Sequence, residues 1–231
     1  LDAGGHRLDV REYIKANAVI PEPQASGGDI AANIGEGAFL PLLAGGALCN
    51  DAALQIKTNN EPSAAGDPTE AAIVVAAYIF GLNKHKLEEA LPRVDELPFD
   101  SDRKRMSTIH KVLRKENVGS LFNILQLEPS TSHLLFCKGA PDMIIASSDY
   151  ALVNGTKTQM TKELAEKFSV SNNNLASQGI RVLAVAYKDL KDMPEKSSEL
   201  EKGLVFLGLI GMMDPPRAEV KDAVRKCKEA G

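Results

Sequence analysis

The segment FCKGAPD, residues 136–142, concentrates much of the chemistry this chain could perform. An apolar strand pattern delivers Lys138 to its end, Gly139 removes a side chain that would block a planar ligand, and Pro141 opens a helix. A cation beside the free N–H groups of a helix start suits an anion or a nucleotide. Taken by itself, a lysine at a strand end is also an ordinary surface residue. Arg181 stands in the apolar run IRVLAVAY, residues 180–187, an odd position for arginine in a purely structural strand. Glu70 lies three residues after Asp67, with Pro68 between them, and so has the spacing to close a capping box at a helix start. Arg103, Lys104 and Arg105 form a basic cluster. Asp100 and Asp102 precede it in an acidic chain without tryptophan, which favours a solvated or site-lining charge mixture over a nucleic-acid footprint.

Other chemistries lack their residues. No GxxxxGKS/T loop occurs, and the nearest approach to GxGxxG is GEGAFL, where Leu40 replaces the last glycine. There is no GxSxG elbow and no Cys, His and Asp grouping of nucleophilic type. His6, His85, His110 and His133 have no ligand spacing, so a cage of protein side chains around a metal is not expected. Cys49, Cys137 and Cys227 are far apart and each lies in an apolar run or on an apolar helix face, which reads as three buried free thiols in a reducing compartment.

These residues need elements to position them. Residues 1–30 carry little periodicity, and 21–28 (PEPQASGG) reads as a loop. Residues 37–53 suggest a buried helix loosened by Pro41 and the Gly45-Gly46 pair. Asp67 as N-cap and Pro68 at the first position open a helix whose body, AAIVVAAYIF, is apolar all round and is expected to be sandwiched inside the domain. Strands are expected at 106–113 and 120–127 as a hairpin, with a third at 133–138. A short helix follows Pro141, and an amphipathic one at 161–177 places Leu164, Phe168 and Leu175 on one side. Strands at 180–187 and 204–213 precede a last helix at 217–230, with Val220, Ala223, Val224 and Cys227 on one face. This order predicts an α+β fold, a largely antiparallel sheet flanked by helices.

The chain has 231 residues, with 27 Lys+Arg against 31 Asp+Glu, for a formal charge of −4. At 44% hydrophobic and 25% charged residues it has the make-up of an ordinary globular domain. The longest stretch free of charged residues, 37–50, is interrupted by Pro41 and falls short of the roughly 20 residues that span a bilayer. No signal peptide is visible. The chain lacks an initiator Met and stops at Gly231 directly after a helix pattern, so it reads as an excised piece of something larger.

Six strings occur in the order LCND (48–51), GDPTE (66–70), LPFDSDRKRMS (97–107), FCKGAPD (136–142), QGIRVLAVAY (178–187) and GLIGMMDPPR (208–217). As a set they resemble the nucleotide-binding domain of P-type cation-transporting ATPases, nearest to the calcium-pump-like branch, over about residues 45–231. KGAPD and DPPR are the most specific elements. The resemblance implies an ATP site. Phe99 matches the aromatic residue on which adenine stacks, although the residue alone could equally be core. Lys138 matches the lysine lining the adenine pocket, with Gly139 and Ala140 as its wall. Glu70 matches an acidic residue near the adenine amino group. Arg181 matches an arginine reaching the phosphates, and Lys104 a basic residue at the pocket mouth.

The same resemblance divides the chain into a nucleotide-binding domain, 1–213, and a hinge with the first returning helix of the phosphorylation domain, 214–231. Asp214, Pro215, Pro216 and Arg217 form that hinge, and two prolines also make a stiff connector on physical grounds. In the family, closure across the hinge brings the γ-phosphate of ATP, with Mg²⁺, to an aspartate in a DKTGT motif, which this sequence does not contain. The implied function is therefore an ATP-binding domain that does not turn ATP over alone. Its partners would be the phosphorylation and actuator domains and the membrane helices of a parent membrane protein. Many relatives carry Arg two residues after the stacking Phe; here Ser101 stands there, so a phosphate contact is lost or moved to Arg103. That departure motivates the alternative, a regulatory or interaction module on the same fold that has lost nucleotide binding. A self-contained phosphohydrolase is disfavoured, because no DxDxT/V nucleophile loop occurs.

Overall fold

Along strand β7 (His133–Gly139), consecutive side chains enter two different cores: Leu134 and Phe136 join one buried cluster, Leu135 and Cys137 the other. A period of two with both faces apolar requires cover on both sides of the sheet. The computed structural model describes residues 1–3, 6–7, 9, 39–56, 62–113, 119–193, 195, 197–213 and 218–230, and the loop expected at 21–28 lies outside them. Among the described residues β7 is central in a nine-stranded sheet. Its antiparallel neighbours are β6 (Arg105–Lys111) and β10 (Arg181–Leu190). Beyond β6 lies β5 (Arg93–Asp100) at the edge; beyond β10 lie β11 (Leu204–Met212), then β1 (Asp2–Ala3) and β2 (His6–Arg7). A further hairpin, β8 (Ser148–Val153) with β9 (Thr156–Gln159), joins β11 through the sheet's one parallel pairing among these residues. A separate two-stranded sheet pairs β3 (Ala53–Ile56) with β4 (Pro62–Ala65). The expected α+β class with a largely antiparallel sheet is what the chain forms.

On the Phe136 face lie helices α1 (Leu40–Leu48), α2 (Pro68–Ile79), α3 (Lys84–Ala90) and the short α4 (Gly119–Ile124). On the other lie α5 (Pro141–Ala146) and α6 (Lys162–Ala176), the latter packing Leu164, Phe168 and Leu175 inward as its periodicity predicts. Every residue of α1 is buried. A Cβ at Gly45 would lie 2.8 Å from Phe136 and one at Gly46 3.0 Å from Ile73, so the glycine pair lets the helix be squeezed between the sheet and α2. The pair tightens the packing that the sequence suggested it would loosen.

Four expectations are corrected. Residues 119–124 form α4 where a strand was expected; the hairpin partner of β6 is β5 instead, and with β7 on its other side β6 has no free edge for a further strand. Helix α2 is buried only at Ile73, Val74, Ala77 and Ile79, so it covers the domain with one face and is not sandwiched. The last helix, α7 (Ala218–Ala230), exposes Val220 and Val224 of its apolar face. Cys227 is exposed with them, whereas Cys49 and Cys137 are buried free thiols as expected. Burial pushes the Cys49 thiol up to about 11, so it stays protonated and inert at neutral pH.

Candidate functional site

At the end of β7 the sheet's parity decides where the charges go. Lys138 continues the row of Leu134 and Phe136 and so faces the helices α1 and α2. It is only 4% exposed, and its Nζ donates to Glu70 Oε1 at 2.7 Å. Glu70 Oε2 accepts from the Asp51 backbone N–H at 2.9 Å. Both carboxylate oxygens are therefore engaged away from Asp67, and the capping box is not formed. Asp67 caps α2 alone, its Oδ1 accepting from the N–H groups of Thr69 and Glu70 at 2.8 and 3.3 Å. Those backbone hydrogen bonds, Thr69 first, hold the Asp67 carboxyl below the ordinary carboxylate range.

The loop at Asn50 and Asp51 that meets Glu70 is itself fixed. The buried Lys84 donates to the carbonyls of Asn50 and Ala52 at 2.7 and 2.8 Å, and Asn50 Nδ2 donates to the Glu70 carbonyl at 3.0 Å. Arg93 then bridges Asp51 Oδ1, at 2.6 Å, and Glu96. The first Lys138 neighbour along the chain, Gly139, pairs with Arg105 on β6. A Cβ there would sit 2.4 Å from the Lys104 carbonyl oxygen and 2.7 Å from Arg105 Cα. Glycine is thus demanded by the adjacent backbone, a reason distinct from leaving room for a ligand.

These elements surround one cleft of about 610 Å³ on the α2 face of the sheet, a size usual for small-molecule sites. Its apolar bed includes Met106 and Leu183, and its rim carries Phe99 and Lys104. Phe99 is 65% exposed at the end of the edge strand, which removes the core reading of this residue. Lys104 is exposed in a left-handed conformation (φ 51°), and its carbonyl accepts from the Ala140 N–H at 2.9 Å. Arg181, at the start of β10, is exposed and donates to Thr69 Oγ1 at 2.9 Å, beside Asp67. All of Glu70, Phe99, Lys104, Lys138, Gly139, Ala140 and Arg181, nominated from sequence, line this cleft. The cleft runs from the buried Lys138 and its half-buried partner Glu70 at the floor to exposed cations at its mouth, with an aromatic face free to stack.

The sequence profile of the family described as P-type ATPase, cytoplasmic domain N, matches residues 39–219. The chain belongs to this family. Among curated relatives, it is 38% identical over 184 residues to Calcium-transporting ATPase 1 of Bacillus cereus, covering 80% of this chain and 18% of that protein. It is 36% identical over 187 residues to Calcium-transporting ATPase of Bacillus subtilis, covering 80% of this chain and 19% of the relative. The human sodium/potassium-transporting ATPase subunit alpha-4 is 33% identical over 198 residues, again with 80% and 18% covered. This N domain thus spans just under a fifth of the length of these relatives.

Several features of the N domain were not read from its sequence. Thr69, Arg93 and Glu96 also line the cleft. Thr69 stands inside the quoted GDPTE string and its role as an Arg181 acceptor follows from the helix start; Arg93 and Glu96 lie in a charged segment without a local signal. Arg103, the expected substitute at the Ser101 departure, is turned away: its guanidinium donates to Glu201 at 2.6 Å and to the Pro98 carbonyl at 2.7 Å. The hinge residues Asp214, Pro215, Pro216 and Arg217 lie outside the described residues. Among the described residues no helix is long and apolar enough to cross a membrane, and no cluster of His, Cys, Asp and Glu side chains could hold a metal ion.

Proposed function

We propose that this domain binds ATP in the cleft as the nucleotide-binding part of a cation-transporting P-type ATPase. The observation that carries the reading is the 65% exposure of Phe99 at the rim of the cleft that Lys138 floors, because a large exposed aromatic side chain gains most by covering its face with a flat base. Adenine stacks on Phe99 with Glu70 and Lys138 around its polar edge. The phosphates extend toward Arg181 and Lys104, whose charges are exposed at the mouth. That polarity leaves the γ-phosphate toward solvent, where an aspartate of a separate phosphorylation domain can take it. Mg²⁺ would bind with the phosphates in the parent chain, and the other partners there are the actuator domain and the membrane helices. Residues 1–213 form the nucleotide domain and 214–231 the hinge and returning helix. The names of the relatives favour calcium as the transported ion.

Phe99→Ala separates this reading from a module that has lost nucleotide binding. Loss of one base-stacking contact, about 1–3 kcal/mol, weakens ATP binding by roughly 5- to 150-fold. An exposed side chain away from the core contributes little to folding, so stability stays within about 0.5 kcal/mol of wild type. ATP affinity that is the same in the variant and the wild type contradicts the proposal.

A further inference from the structure

Directly beneath the cleft, on the opposite face of the sheet, lies a buried charge cluster that the cleft itself does not use. Along the start of β6 the directions alternate: Met106, like Lys104 in the turn before the strand, lines the cleft, whereas Arg105 and Ser107 point to Glu201 on the α5 side. Glu201 ends a short 3-10 turn, Ser198–Glu201, just before β11, and its side chain is 0% exposed. Its Oε2 accepts from Arg103 at 2.6 Å and from Arg105 at 2.8 Å, and its Oε1 accepts from Ser107 Oγ at 2.8 Å. Burial pushes this carboxyl up, but the hydrogen bonds from Arg103, Arg105 and Ser107 outweigh it and hold the group below the usual carboxylate range.

Both arginine donors are also attached to a wall of the cleft. Arg103 also donates to the Pro98 carbonyl, one residue before Phe99, and Asp100 Oδ1 accepts from the N–H groups of Asp102 and Arg103, both at 2.9 Å. Arg105 Nη1 donates to Ser147 Oγ at 3.2 Å, at the end of the helix that Ala140 begins. A single carboxylate therefore fixes the end of β5 that carries Phe99, and the turn after it that carries Lys104, relative to the Gly139–Ala140 wall. Two guanidiniums and one hydroxyl on one buried carboxylate define a rigid geometry, since each remaining lone pair or donor would be costly to leave unpaired.

We infer that Glu201 is a positioning residue for the nucleotide, acting through Arg103 and Arg105 on the end of β5 and the turn after it, which present Phe99 and Lys104. This rests on the ATP-binding reading of the cleft. The test uses Glu201→Gln and the milder Arg103→Ala, whose side chain is partly exposed, with ATP titrated calorimetrically and followed by ¹⁵N NMR. The expected result is that each weakens ATP by roughly fivefold or more, and that the double variant is no weaker than the worse single one, because both act through one node. The heteronuclear NOE of Ser101 and Asp102 falls in both, while the amide shifts of Lys138 and Arg181 on ATP addition persist; a purely structural role would leave that selective loss absent. If Glu201→Gln does not fold, Arg103→Ala decides. Wild-type protein that ignores millimolar ATP refutes the nucleotide reading; wild type that binds while the folded variants bind equally well overturns the role of Glu201 alone.

Discussion

Gly139→Ala tests whether the fold or the ligand dictates the glycine of the KGAPD string. The added Cβ would lie 2.4 Å from the Lys104 carbonyl oxygen, 2.5 Å from Arg105 Cβ and 2.7 Å from Arg105 Cα. Ordinary contact begins near 3.4 Å, so the two backbones must separate by close to an ångström. Neither can yield alone: Gly139 is paired with Arg105 on one side and with Ala184 on the other, and the Ala140 N–H is bonded to the same Lys104 carbonyl. Overpacking of this kind costs about 1–3 kcal/mol, and the loss of a ladder hydrogen bond adds about 1 kcal/mol. A destabilisation of about 3 kcal/mol lowers the melting temperature of a domain this size by roughly 6–12 °C. Urea unfolding and a thermal scan, both without nucleotide, measure it. A variant within 0.5 kcal/mol of wild type refutes the packing argument and returns the glycine to a purely ligand-clearing role.

Two other consequences concern pH and thiol chemistry. His110 is buried, its ring nitrogens bonded to the Leu91 carbonyl and Thr108 Oγ1, and burial lowers its pKa from 6.5 to about 4. Between those values the unfolded chain binds a proton the folded one refuses, so this contribution is complete above pH 6.5 and falls by about 3 kcal/mol as the pH drops to 4. Denaturant titrations from pH 7 to 4.5 check it, with His110→Gln flattening that part of the profile; an unchanged slope contradicts it. Of the three cysteines only Cys227 is exposed, so a thiol reagent modifies one site rapidly in the folded protein and Cys49 and Cys137 only after denaturant is added. Rapid modification of all three in buffer contradicts the burial of the two core thiols.

The parts legible in the sequence were those where a local signal coincides with a long-range demand. The Asp67-Pro68 helix start and the two-sided run around Phe136 each state their structure locally, and the KGAPD, GDPTE and DRKRMS strings converge on one cleft because β7, α2 and the β5–β6 turn meet there. The misreadings occurred where local pattern leaves the period undecided. Residues 119–124 hold a short apolar run compatible with helix or strand, and the occupancy of both edges of β6 by β5 and β7 excludes the expected strand pairing there. Strand β5 is charged and contains Pro98, a residue tolerated because the strand lies at the sheet edge. The Asn154-Gly155 turn between β8 and β9, with φ of 50° and 73°, is a local hairpin signal of the Asn-Gly type. The Glu201 cluster had no signature, since its donors lie 94 to 98 residues away in sequence.

Titration of ¹⁵N-labelled domain with ATP addresses the nucleotide site most directly. At millimolar ATP, amides of Phe99, Lys104, Lys138, Ala140 and Arg181 shift together with one dissociation constant, while those of the β8–β9 hairpin stay in place. Absence of any shift around Phe99 and Lys138 at that concentration contradicts the assignment of the cleft as an ATP site.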